Sequence, residues 1–315
     1  MCNALLAVAA CTPTAASPLN QAAAAPATPD TPAPLVSTAA PAAPAAGDDA
    51  RGARLYDNWR GEKEVGSGFS PDSAKTPELD GIGGPNANGT LNDEHARPIA
   101  NAGHDYRLKN FFGWDLRGAQ GVYGSDYQKK SYVLGHNLLA DNRSPAELRA
   151  WFANGGSGLP AFGAVLDARD LDDLVAFVVK TRDKELVHPE AIFTLQKAAP
   201  KGFVLNAGGD AERGRRAFAD RCSKCHGEDG RKIAIDEIES VGTLARSAAY
   251  EVWFKIAHGQ PGSPMKRQLT ETGGAAQAQT VLDLFAALCD RKLFPALATG
   301  KDVPDADPRC AAYLR

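Results

Sequence analysis

The sequence predicts a mostly α fold. Two tandem helical domains, 51–190 and 207–315, are joined by a linker at 191–206 and preceded by a disordered Ala/Pro-rich tether. Three observations predict this. Apolar residues recur at helical spacing near the end of each half, in Asp170-Leu-Asp-Asp-Leu-Val-Ala-Phe-Val178 and in Val281-Leu-Asp-Leu-Phe-Ala-Ala-Leu288. The halves also repeat one another, as Glu147-Leu-Arg-Ala-Trp-Phe-Ala-Asn-Gly155 does Glu251-Val-Trp-Phe-Lys-Ile-Ala-His-Gly259. Finally, Thr12 to Asp49 is almost entirely Ala, Pro, Thr and Ser, too poor in large apolar residues to offset its ordering entropy. At 315 residues the chain can bury two cores.

Taken in order, Ala4-Leu-Leu-Ala-Val-Ala-Ala-Cys11 resembles the end of a bacterial lipoprotein signal, with Val8-Ala-Ala-Cys11 as lipobox and Cys11 as the lipidated residue. The basic n-region of a signal peptide is missing, so 1–10 reads as a truncated signal, with a plain disordered tail as the alternative. Residues 11–50 then form the tether. Arg51-Gly52-Ala-Arg-Leu-Tyr56 opens the first domain with a glycine followed four residues later by an aromatic. Gly61 to Asp105, rich in Gly, Pro, Asn and Asp, reads as an inserted loop. Ser144-Pro-Ala-Glu147 is a capping box with proline at the first helical position. In the second half Asp210 is the expected N-cap of a helix carrying Gly214 and Phe218, and Glu251 to Gly259 is a short amphipathic helix.

Chemistry concentrates in Cys222-Ser-Lys-Cys225-His226. Cys-x-x-Cys-His is the attachment signature of a c-type haem. Two thiols three residues apart at a helix end can face one porphyrin edge, and the next histidine falls under the iron. A redox Cys-x-x-Cys or half a zinc site fits less well, because there is no second Cys-x-x-Cys and no βαβ pattern. With Gly214, Phe218, the Gly227-Glu-Asp-Gly230 turn and the loop Gly259-Gln-Pro-Gly-Ser-Pro-Met265, residues 207–315 resemble a class I c-type cytochrome. That resemblance implies one haem c per chain, bound through Cys222 and Cys225, with His226 and Met265 as axial ligands. Met265 is the only methionine besides the first residue and lies 39 positions after His226. A lone methionine is more often core filler, and His258 is the competing ligand. His/Met ligation raises the haem potential and leaves no open site, favouring electron transfer over oxygen chemistry.

The first half resembles the same family without its haem residues. Leu108-Lys-Asn-Phe111-Phe112-Gly113-Trp-Asp115 aligns with Cys222 to Asp229, and Leu159-Pro-Ala-Phe-Gly163 with the axial-methionine loop. Leu108, Phe111, Phe112 and Leu159 thus occupy the positions of two thiols, a histidine and a methionine. Four apolar replacements in register suggest cavity filling, completed by Trp114 or Trp151. The alternative is an ordinary core of another helical fold. His95, His104, His136 and His188 lie off motif spacing and are expected on the surface.

A net charge of −3 suggests neither nucleic acid nor an anionic membrane surface as bulk partner. No apolar run reaches the length of a membrane span, so membrane contact is expected only through a lipid anchor. Because c-type haem is attached outside the cytoplasm, the bacterial periplasm or cell envelope is the expected location. There Cys289 and Cys310 invite a disulfide, two independent buried thiols being the alternative. The expected function is single-electron transfer between redox protein partners, as a carrier and not an enzyme. The alternative is an electron-accepting cytochrome subunit of a periplasmic dehydrogenase or oxidase complex. Lys224, Lys255, Lys266 and Arg267 are a candidate basic docking patch.

Overall fold

The computed structural model describes residues 47–63, 90–91, 99–100, 107–126, 133–235, 237–310 and 312–314. Cys11, the lipobox, nearly all of the tether, most of the insertion, His95 and His104 lie outside the described residues. About half of the described residues are helical and strands are few, so the fold is mostly α. The helices are α1 (Asp49–Lys63), α2 (Lys109–Phe112), α3 (Val122–Asp126), α4 (Pro145–Asn154), α5 (Ala168–Arg182), α6 (Pro189–Ile192), α7 (Ala211–Arg221), α8 (Ser223–His226), α9 (Val241–Ser247), α10 (Ala249–His258) and α11 (Gly274–Leu288). Thr90–Leu91 (β1) pairs antiparallel with Ile99–Ala100 (β2), and Phe193–Leu195 (β3) with Phe203–Leu205 (β4).

Two helix pairs, α1 with α5 and α7 with α11, are built by the same device. A Cβ on Gly52 would lie 1.9 Å from the carbonyl oxygen of Asp173, and one on Gly214 would lie 1.8 Å from that of Asp283. Only glycine allows backbones this close. Beside each glycine an arginine reaches across: Arg51 Nη1 donates to Asp173 Oδ2 at 2.6 Å, and Arg213 Nε to Asp283 Oδ2 at 2.7 Å. The same aspartates accept the amides of Asp48 and Asp210, at 2.7 and 2.8 Å. Tyr56 and Phe218 follow one turn later, both buried.

Helix starts follow local chemistry. Asp210 caps α7 by accepting from the Arg213 amide, and Ser144 with Glu147 closes the capping box of α4. Helix α1 holds a break within it: Asn58 is extended (φ −158°), and its Oδ1 accepts from the Gly61 amide at 2.8 Å. That bond makes Asn58 the N-cap of a short second arm ending at Lys63, which is anchored to Asp170.

The segment between the halves carries structure of its own. Much of the segment 191–206 is a hairpin rather than a plain linker. Its Phe193 and Phe203 rings meet at 5.8 Å and pack on Trp253 (5.7 Å) and Tyr250 (5.3 Å) of α10. Helix α10 is amphipathic, with Glu251 and Lys255 one turn apart on its less buried face, yet the rest of it is enclosed, because the hairpin covers Tyr250 and Trp253 while Phe254 packs on Tyr56, Trp114 and Phe177 of the first half. Its counterpart α4 buries only Leu148 and Phe152.

Candidate functional site

The Cys-x-x-Cys-His stretch is one helical turn at the end of α7. The amides of Cys225 and His226 both donate to the Cys222 carbonyl, at 3.2 and 3.0 Å. Positions i, i+3 and i+4 share a helix face, so Cys222, Cys225 and His226 are brought to one side. Gly227 ends the turn at φ 79°, ψ 165°, its amide donating to the Ser223 carbonyl. Residues 108–113 repeat this backbone: Gly113 sits at φ 77°, ψ 165°, and its amide donates to the Lys109 carbonyl. Beyond each turn an Asp-x-Arg pair closes, Asp115 with Arg117 at 2.8 Å and Asp229 with Arg231 at 2.7 Å.

The loops after α4 and α10 correspond as well. Gly155 (φ 73°) and Gly259 (φ 93°) reverse the chain, and the next amide closes each loop. Gly156 donates to the carbonyl of Leu159 at 2.8 Å, and Gln260 to that of Met265 at 2.9 Å. Leu159 and Met265 therefore occupy the same place, on loops differing by two residues. Met265 is further held where its amide donates to Ser263 Oγ at 3.1 Å.

What differs is the side chains and their cover. Leu108, Phe112 and Leu159 are 0 % exposed and Phe111 1 %, all within one core. The Phe112 ring meets Trp151 at 5.7 Å, Phe152 at 6.4 Å and Phe111 at 6.5 Å, and Phe111 meets Phe162 edge-on at 6.0 Å. Trp151 thus completes this cluster, whereas Trp114 packs on Phe254 with Lys109 and Lys255 over its ring. In the second half Cys225 is exposed, and Cys222, His226 and Met265 are half-buried. Two large apolar side chains close by in sequence, Ile233 and Ile238, are 45 % and 56 % exposed.

Burial pushes the Cys222 thiol up to about 11 and lowers the pKa of His226, so at neutral pH the thiol stays protonated and the imidazole neutral. His226 Nδ1 is buried without a hydrogen-bond partner. Two thiols able to bond a porphyrin edge, together with a neutral imidazole with an orphaned ring nitrogen and a thioether on a pinned loop, are the kinds of group that a covalently held haem would use. Among the described residues there is no cluster of three or more His, Cys, Asp or Glu arranged to hold a bare metal ion.

His258 ends α10, but its ring is packed against Phe254 (4.8 Å), Phe177 (5.1 Å) and Trp253 (6.5 Å), with both ring nitrogens unpartnered. It belongs to the aromatic contact with the first half. His188 is buried rather than on the surface, at the N-cap of α6, and His136 is half-buried between Trp151 and Asp141. Of the expected basic patch only Lys224 and Lys266 are exposed. Lys255 is paired with Asp57 and Arg267 with Asp49, both on α1; nothing local in the sequence marks these pairings. A disulfide joins Cys289 at the end of α11 to Cys310.

Comparison with protein-family models, with curated proteins and with solved structures finds no match to this chain.

Proposed function

We propose that the chain is an exported mono-haem electron carrier, with a cytochrome c domain at 207–315 behind a haem-free cytochrome c-like domain at 51–190. Cys222 and Cys225 would hold the haem covalently, with His226 and Met265 as its axial ligands. The observation that carries this reading is one backbone geometry filled in two opposite ways. Where the first half buries leucine and phenylalanine, the second presents two thiols, an imidazole and a thioether with less protein cover.

Bound haem supplies a one-electron iron couple, whose potential His/Met ligation raises. The chain's own residues prepare for it. Burial keeps the His226 imidazole neutral, the form that offers a lone pair to a metal. Hydrogen bonds at both its amide and its carbonyl fix where the Met265 side chain leaves the loop. Exposed Lys224 and Lys266 support docking of an acidic redox partner, a narrower patch than the sequence suggests. Export to the periplasm or cell envelope, with a lipid anchor at Cys11, belongs to the same proposal.

A haemochrome assay with tryptic mass spectrometry should find one haem per chain, on the peptide containing Cys222 and Cys225. The Cys222→Ala/Cys225→Ala protein should carry none, and Met265→Ala should lose the sulfur–iron charge-transfer band and shift the potential downward. Two haems per chain, or haem retained without the two thiols, would refute the proposal; a band that persists without Met265 would refute the axial assignment.

A further inference from the structure

The loop that carries Met265 is held from the first half. Its entry is the C-terminal end of α10, where helix carbonyls lack intrahelical donors. Arg54 of α1 donates to the His258 carbonyl at 3.3 Å, and its guanidinium is fixed by a two-pronged pair with Glu62 (3.0 and 2.9 Å) on the second arm of the same helix. Arg267, just beyond Met265, donates through Nε to the Ala257 carbonyl at 3.0 Å and through Nη2 to Asp49, at the start of α1. Asp49 is itself steadied by Lys180 of α5 at 2.6 Å. Between these anchors Gly262 lies against the second arm of α1, where an added Cβ would come within 2.8 Å of the Gly61 carbonyl oxygen. The break at Asn58 brings that arm to the loop.

We propose that the first half acts as a positioning clamp for the Met265 loop, with Asp49 and Arg54 as its positioning residues. The proposal rests on the reading of Met265 as axial ligand. The clamp bonds to His258 and Arg267 on either side of the methionine and packs against Gly262 between them, while Arg267 itself ties the loop back to the Ala257 carbonyl. Contacts made only when the loop is home bias it toward the position that presents the thioether, since whatever interacts with one of two states shifts the equilibrium toward it. A half that lost its own haem residues thereby sets how firmly the other half keeps its sixth ligand.

The test is displacement of Met265 by added imidazole, followed by loss of the sulfur–iron band in the full-length haem protein. Asp49→Asn keeps the side chain's size and removes the charge facing Arg267 and Lys180. It should tighten apparent imidazole binding about three- to ten-fold, the scale of a partly buried ion pair, and Asp49→Glu should restore most of the wild-type value. In a Met265→Ala background Asp49→Asn should change imidazole affinity less than about two-fold, because no thioether competes. Equal affinity in wild type and Asp49→Asn, or the same shift with and without Met265, would overturn the clamp. A second arm needs no haem. In the Cys222→Ala/Cys225→Ala protein, Asp49→Asn should speed amide exchange at Gln260 and Met265 while leaving the α11 amides unchanged, and unchanged exchange at the loop would overturn the proposal. Should the wild type lack the band, the axial reading fails by itself and the exchange arm still decides whether α1 holds the loop.

Discussion

Phe112 holds the place in its turn that His226 holds in the other half, and the filled core of the first half can be tested by removing its ring. Phe112 is fully buried and touches the Phe111, Trp151 and Phe152 rings, with His136 at 6.4 Å. An aromatic side chain buries roughly 150–250 Å², and at about 25 cal/mol per Å² the lower figure alone is about 4 kcal/mol, an upper estimate for transfer. Lost edge-on contacts and a residual cavity add to the cost, partial collapse subtracts, and Phe→Ala in packed cores costs about 3–5 kcal/mol. Phe112→Ala should therefore lose about 4 kcal/mol in urea unfolding, with an unchanged denaturant slope, while Phe112→Leu should lose less than half of that. A loss below about 1.5 kcal/mol for the alanine variant would mean that the site collapses freely, and the idea of a core packed by these replacements would fall. The surrounding rings also bear on reversal. Trp151, Phe152 and Phe162 fill the same cluster, so restoring Cys, Cys, His and Met at Leu108, Phe111, Phe112 and Leu159 should not by itself recover haem binding.

Gly52→Ala and Gly214→Ala should each open a helix pair, since the new Cβ meets a carbonyl oxygen at 1.9 or 1.8 Å; a melting temperature within a degree or two of wild type for either would contradict the shared packing. His258 is buried, its pKa held well below the ordinary value by burial and then by the neighbouring Arg267 and Arg54, against the opposing charge of Asp49. The unfolded chain thus takes up a proton on this residue before the folded one does, and folding stability falls as pH drops below about 6.5, by up to about 1.4 kcal/mol per pH unit. His258→Phe should flatten that slope in urea titrations at pH 7.5 and 5, and an unchanged slope would clear His258 of the effect. The Cys289–Cys310 bridge spans 21 residues; its loss in Cys289→Ser/Cys310→Ser should cost about 3 kcal/mol by the loop-entropy estimate, read as a lower urea midpoint.

How much was legible in the sequence follows from how local each feature is. The helix pairs could be read because each is announced by a glycine, an aromatic four residues on and an apolar closing helix, and the backbone conflict that demands glycine is the same in both. The candidate site was legible for the same reason: two thiols and a histidine fall on one face within a single turn. The Leu159–Met265 correspondence survived a two-residue difference in loop length because a glycine opens each loop. What could not be read lies between the halves. Lys255 and Arg267 look like solvated bases until α1 supplies Asp57 and Asp49, some two hundred residues earlier. The break at Asn58 and the packing of the 193–205 hairpin likewise depend on partners that local pattern does not name.

The asymmetry of the two equivalent helices shows what those contacts achieve. Helices α4 and α10 share a length, a C-terminal glycine and a following loop, yet only α10 is enclosed, by the hairpin on one side and by α1 and α5 on the other. A helix shared between two cores cannot shift against one without disturbing the other, because close-packed interiors transmit displacement. The loop leaving α10 therefore starts from a rigid base, while the loop leaving α4 starts from a helix with one face in solvent. If Met265 is a ligand, the enclosed helix is the one that needs such a base, and Leu159, which only fills space, is served by the other.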